Sequence, residues 1–157
     1  MSTTKSTILI LHGAWHHPDH FAQQISLLKS QFYEVLCPIQ PSYNAQPATT
    51  TLQDDAAFIK TVLSKLVDDE GKEVIVVMHS YGGMVGTEAV TEEFSKTYRE
   101  KKGLKGGVVK LLYMCAFLLH KGESLATPLG GELPPFIPVE VRSHTLPSPP
   151  SSFLHPT

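Results

Sequence analysis

The chain reads as an α/β protein, a parallel sheet with helices on both faces, and three observations predict it. Four short runs are nearly continuous in apolar residues rather than alternating, as strands covered on both faces require. Longer stretches with apolar residues at helical spacing separate those runs. The third run passes directly into a serine followed by glycines, where a new helical pattern begins. The resulting order, β-α-β-α-β-α-β, gives a parallel sheet joined by right-handed crossovers.

The first run is Thr7–Leu11, preceded by a single charge at Lys5. It is too short for the core of a signal peptide or for a membrane span. Phe21, Ile25 and Leu28 then mark a helix, and the second run follows at Tyr33–Cys37. Leu52, Ala56, Ile59, Leu63 and Leu66 form a longer helical stripe. Thr51 and Asp54 have the spacing of a capping box at its start, and Gly71 ends it. The third run is Val74–Met78, followed by a helix from about Gly83 that carries Val85, Ala89 and Val90 and turns charged toward Lys101 and Lys102. The fourth run is Val108–Leu119.

A length of 157 residues suits one domain. A net charge of −2 leaves no basic footprint for nucleic acid or an anionic membrane. Cys37 and Cys115 lie in apolar segments and read as buried free thiols. No glycine-rich dinucleotide loop or phosphate loop follows any strand, so no cofactor is expected. His16, His17 and His20 with Asp19 are interrupted by Pro18 and have no distant partner pair. They are read as residues at the start of the first helix, near a pocket mouth, rather than as metal ligands. The expectation is a soluble cytoplasmic protein acting on a small molecule.

The chemistry concentrates in Val74-Ile-Val-Val-Met-His-Ser-Tyr-Gly-Gly83. A strand, a sharp turn and a helix are the context that lifts a nucleophile, here Ser80, above the strand ends. Such a turn needs small neighbours, which Gly82 supplies, while Gly83 and Gly86 let the helix approach the sheet. Met78 stands where the general motif has glycine, and His79 points away from its neighbour into a structural role. After the first strand comes His12-Gly13-Ala14-Trp15, with Gly13 giving the loop backbone freedom. A serine attacking a carbonyl needs two preorganised N–H donors for the oxyanion, and these would belong to Ala14 and Tyr81. Asp54 and Asp55 read as negative charge favouring a helix start. Glu123 and Glu132 are acids by position only, read as solvated.

Ile-Leu-Ile-Leu-His-Gly-Ala-Trp-His-His-Pro-Asp-His-Phe together with Val-Met-His-Ser-Tyr-Gly-Gly-Met-Val-Gly resembles the α/β-hydrolase superfamily. Within it, the chain is most similar to the small-esterase branch that includes plant methylesterases and hydroxynitrile lyases, and to fungal members of it. The resemblance covers roughly residues 5–138. It implies a three-layer α/β-hydrolase core over 5–120, the start of a lid over 121–140 that includes Gly130–Pro135, and Ser80 as nucleophile with Ala14 and Tyr81 as oxyanion donors. His12, Gly13, His79, Gly82 and Gly83 would support them. The activity implied is carboxylesterase-like acyl transfer on a small ester. Cyanohydrin cleavage and a ligand-binding pseudo-hydrolase are the alternatives.

The chain departs from the family pattern at its end. A complete member continues into two more strands bearing an Asp and then a His. Eight prolines fall between Pro128 and the terminus, and residues 141–157 read as an unstructured or aberrant tail. His144 and His155 lie in it, where no imidazole would be held to catalytic tolerance. The expectation is therefore a truncated or mis-spliced chain, its C-terminal strands, catalytic acid and base missing. Its fourth strand would then be a sheet edge with an exposed apolar ladder.

Overall fold

The computed structural model describes residues 5–47 and 49–131; Glu132, Leu133, Pro134, Pro135, His144, His155 and the tail expected over 141–157 lie outside them. The chain divides into two compact units, Met1–Leu118 and Leu119–Thr157. Among the described residues the second unit contains a single 3-10 turn, Thr127–Leu129, and a hydrogen bond from the His120 N–H to the Glu123 carboxylate (2.9 Å).

The first unit runs β1 (Thr7–Leu11), α1 (Ala22–Ser30), β2 (Val35–Leu36), α2 (Leu52–Ser64), β3 (Glu73–His79), α3 (Gly82–Ala89), α4 (Lys96–Lys101) and β4 (Gly107–Met114). All strands are parallel, in the spatial order β2-β1-β3-β4. β1 lies inside the sheet, with Thr7 opposite Val74 and Leu11 opposite Met78. All five of its residues are buried, which is why its sequence does not alternate.

Alternate side chains feed two cores. Ile8 and Ile10 pack with Phe21, Ile25 and Leu28 on the α1 face. Leu9, Leu11, Val74, Val76 and Met78 pack with Ala56, Ile59, Leu63, Val85 and Ala89 of α2 and α3. Full burial of one such aliphatic side chain contributes about 1.5–3 kcal/mol, so the helices are held on both faces mainly by this burial. The three-layer arrangement expected from the sequence is present.

The elements differ from expectation in four places. β2 has two residues, not five, because the chain leaving α1 bends back on itself: Phe32 takes φ 63° and the Tyr33 N–H donates to the Leu28 carbonyl at 3.1 Å. α2 stops at Ser64 and continues as a wider π turn, Lys65–Asp69, before Gly71. The helix after Ser80 is two helices, because Val90 and Thr91 leave helical geometry and a 3-10 turn at Glu92–Phe94 precedes α4. β4 ends at Met114, since Cys115 takes φ 44°. Cys115 is also exposed, not buried as expected, because that turn carries it out of the strand. Burial pushes the Cys37 thiol up to about 11.

The capping box forms as the spacing predicts. Thr51 Oγ1 accepts from the Asp54 N–H, and Asp54 accepts from the Thr51 N–H at 2.8 Å. Arg99, 6% exposed, ties α4 to the π turn through Asp68 at 2.8 Å and to the Lys105 carbonyl at 3.0 Å. Among the described residues no helix is long and apolar enough to cross a membrane.

One topological fact locates the site. The chain leaves β1 for β2 on one side and then crosses to β3 on the other. The loops after β1 and β3 therefore diverge at adjacent strand ends and leave a crevice, where open parallel sheets bind ligands.

Candidate active site

Ser80 is the first residue past β3 and adopts φ 52°, a left-handed conformation that costs a non-glycine residue about 1 kcal/mol or more. Its N–H reaches back to the Met114 carbonyl at 3.4 Å, and its carbonyl accepts from Phe117 N–H at 3.2 Å. The same carbonyl also receives the Gly83 N–H at 3.0 Å, the first turn leading into α3. The turn after β4 thus braces the serine turn from the side.

The glycines are explained by space. A β-carbon on Gly82 would collide with the Leu11 carbonyl group, lying 3.0 Å from the His12 carbonyl oxygen as well. One on Gly83 would strike the Phe117 carbonyl. One on Gly86 would run into the Met78 thioether. Met78 is fully buried and occupies the room that Gly86 leaves open, a physical reason for a large residue two positions before the serine. Gly13 corrects an expectation. Its φ lies outside the left-handed region, and the space around it is tight, because a β-carbon would sit 3.0 Å from both Ser80 Cβ and His79 Nδ1.

His79 packs among aromatic rings, and its Nδ1 is buried without a hydrogen-bond partner among the described residues. Its ring meets His16 edge-on at 4.8 Å between centroids and Phe21 at 5.9 Å. Burial, then the neighbouring His16, lowers its basicity below the usual histidine range. His12 is 2% exposed and forms a clasp with Gln40. The Gln40 backbone N–H donates to His12 Nε2 at 3.2 Å, and its side-chain amide donates to the His12 carbonyl at 2.7 Å. Nε2 therefore accepts, so the proton sits on Nδ1, which donates to the Gly13 carbonyl at 3.0 Å. Burial lowers the His12 pKa as well, against the raising effect of its bond to Gly13.

A cavity of about 380 Å³ opens beyond the strand ends, lined by Ala14, Trp15, Gln40, Ser42, Tyr43 and Tyr81 among others. It borders the serine turn through Gly13 and Tyr81, while Ser80 itself is not part of the lining. Ala14 and Tyr81 both line it, and among the described residues neither backbone N–H donates a hydrogen bond. No histidine nitrogen among the described residues is hydrogen-bonded to Ser80 Oγ. His16, His17 and His20 lie at the first 3-10 turn, Pro18–Phe21, where His17 caps and His20 closes the box.

Three features escaped the sequence. The wall formed by Gln40, Ser42 and Tyr43 comes from the loop after β2, the place where the strand-end rule puts a ligand, so the second apolar run was the signal available. Trp15 is 66% exposed at φ 59° on the cavity rim. Asp55, read as a helix-start charge, is completely buried and points back toward the serine turn.

Comparison with known proteins places the chain among hydrolases of this fold. The model of the alpha/beta hydrolase family matches residues 8–157. The alpha/beta hydrolase nvfD of Aspergillus novofumigatus is 34% identical over 139 residues, 88% of this chain and 52% of that protein. The probable hydrolase R7 of a Phoma species is 30% identical over 82% of this chain and 50% of its own length. A carbendazim hydrolyzing esterase of a Nocardioides species is 29% identical over 83% of this chain and 50% of its own. The chain thus spans about half the length of the curated relatives it matches. With the family model covering nearly the whole sequence and the parallel sheet in place, the chain belongs to the alpha/beta hydrolase family.

Proposed function

We propose that the protein is a serine hydrolase that transfers the acyl group of a small ester, with Ser80 as nucleophile and the Ala14 and Tyr81 N–H groups as oxyanion donors. The observation that carries this reading is the placement of a left-handed serine at the head of α3, beside a cavity that both unengaged N–H groups border. Ser80 Oγ would attack the carbonyl carbon, and the π pair would move onto the carbonyl oxygen between the two donors. Collapse of the tetrahedral intermediate would expel the alkoxide, which takes up the serine proton delivered by a base. Water would then release the acid by the same steps. Loss of one such donor costs about 100–1,000-fold in rate.

The base and the acid that orients it belong C-terminal to the serine in this family's chain order. Among the described residues no base engages Ser80. Ester chemistry is preferred to cyanohydrin cleavage because one relative bears the name of an esterase.

The test is labelling by a fluorophosphonate, with p-nitrophenyl acetate turnover alongside. Labelling at Ser80 and ester turnover that are both lost in Ser80→Ala are the expected result. Turnover that persists undiminished in Ser80→Ala would overturn Ser80 as the nucleophile. Absence of labelling would overturn the nucleophile assignment and favour a second reading, a ligand-binding relative that keeps the cavity without turnover. Faster release from mandelonitrile than from esters would favour cyanohydrin cleavage.

A further inference from the structure

Asp55 lies in the first turn of α2, far in sequence from the serine, and is completely buried. Its carboxylate accepts three hydrogen bonds. Ser42 donates its backbone N–H to Oδ1 at 2.8 Å and its hydroxyl to Oδ2 at 2.6 Å. The Tyr81 hydroxyl donates to the same Oδ2 at 2.8 Å. Ser42 and Tyr81 both line the cavity, one from the loop after β2 and the other from the serine turn. Nothing about a helix start calls for a buried acid, and a solvated Asp at that position would complement the dipole equally well. A buried carboxylate is retained where its hydrogen bonds fix a geometry, since hydrophobic packing alone would cost less.

We propose that Asp55 is a positioning residue for the site: by gripping the Tyr81 hydroxyl and Ser42 together, it fixes the direction of the Tyr81 N–H and the part of the cavity wall that Ser42 forms beside it. The proposal rests on the reading of Tyr81 N–H as an oxyanion donor. Tyr81 is tethered at both ends, its backbone by the turn into α3 and its ring tip by Asp55. With the tip anchored, the peptide plane that carries the N–H has little freedom to rock, which is the condition for preorganised stabilisation. Burial, and then the bond to Asp55, raise the Tyr81 phenol well above its usual range, consistent with a proton held firmly between them.

The test separates positioning from folding by resolving fluorophosphonate labelling of Ser80 into a rate constant at saturating probe, kinact, and a labelled fraction. The phosphoryl oxygen of the probe occupies the oxyanion position, so a displaced N–H lowers kinact. A merely structural loss lowers the labelled fraction and the thermal midpoint and leaves kinact of the folded molecules unchanged. Tyr81→Phe removes only the tether and should lower kinact about tenfold with the labelled fraction intact. Asp55→Asn should lower kinact by a similar factor alone, and by less than about twofold in the Tyr81→Phe background, because both act through one bond. If Asp55→Asn does not fold, Tyr81→Phe and Ser42→Ala carry the test, since both keep the buried carboxyl group. A kinact unchanged in Tyr81→Phe, or an Asp55→Asn effect that persists undiminished in that background, overturns the proposal while Ser80 labelling stands. A wild-type protein that is not labelled overturns the serine reading and this proposal with it.

Discussion

Gly13 and Ser80 come so close that an added β-carbon would crowd the serine: on Gly13 it would lie 3.0 Å from Ser80 Cβ. The loop after β1 and the turn after β3 therefore meet through a glycine chosen for its size. The other atoms it would meet are side-chain nitrogens, His79 Nδ1 at 3.0 Å and His16 Nδ1 at 3.3 Å, and none is backbone. Gly13→Ala should therefore keep the fold, lowering the thermal midpoint only slightly, while pushing the Ser80 side chain aside. The expected result is about a tenfold slower fluorophosphonate labelling of Ser80, of the order that a misplaced reacting group costs. Unchanged labelling would show that Ser80 tolerates the crowding.

The left-handed backbone at Ser80 predicts a stability signature that differs from ordinary side-chain loss. At φ 52°, a residue with a β-carbon is strained and glycine is not. Ser80→Gly should therefore be more stable than Ser80→Ala by about 1 kcal/mol, although glycine is usually the worse choice next to a helix. Chemical denaturation of the two variants reads the difference. Equal stabilities would mean that the turn stores no strain.

What was legible in the sequence divides along physical lines. β1, β3 and the serine turn were readable because continuous apolar runs and clustered glycines are local signals. The end of β4 was not. Ala116, Phe117, Leu118 and Leu119 extend the apolar run, yet Cys115 turns the chain so that Phe117 N–H can reach the Ser80 carbonyl. That turn is dictated by a residue more than 30 positions away, which no window along the sequence contains. Asp55 does sit at the helix start the spacing indicates, but its buried role was not readable, for a similar reason. Its partners lie 13 and 26 residues away, and only the fold brings them to it. Gly13 was read for backbone freedom, while the crowding around it comes from a distant strand end and leaves no trace beside it in the sequence.

The clasp between His12 and Gln40 makes stability depend on pH. Burial lowers the His12 pKa below its ordinary value of about 6.5. Between that value and the lower native one, the unfolded chain binds a proton that the native protein does not. Stability is therefore full above about pH 6.5 and is lost as pH falls through the native pKa. Protonation of Nε2 also removes the acceptor for the Gln40 N–H, which works in the same direction. His79, lowered by burial and by His16, contributes with the same sign. Thermal midpoints should fall between pH 7.5 and 5.5, and the fall should be smaller in His12→Asn. A midpoint that rises on acidification would overturn this account.

The edge of the sheet predicts association. β4 pairs with β3 on one side, and among the described residues its other side carries only a single bridge, from Ser95 to Val108, and no strand. Val109, Leu111, Leu112 and Met114 are each more than a third exposed, so apolar side chains are open on both faces of the strand. In a parallel sheet both faces are normally covered, and an apolar strand with an unpaired edge is a template for pairing with another chain. The 157-residue protein should therefore self-associate as concentration rises, visible as a growing apparent mass in light scattering. Leu112→Lys places a charge on the exposed ladder, 43% accessible at that position, without touching the buried Val108. It should reduce association while leaving the thermal transition within a few degrees of wild type, because the leucine gives up little buried area. If the wild type stays monomeric to high concentration, the edge is protected in solution and β4 is not the adhesive surface inferred here.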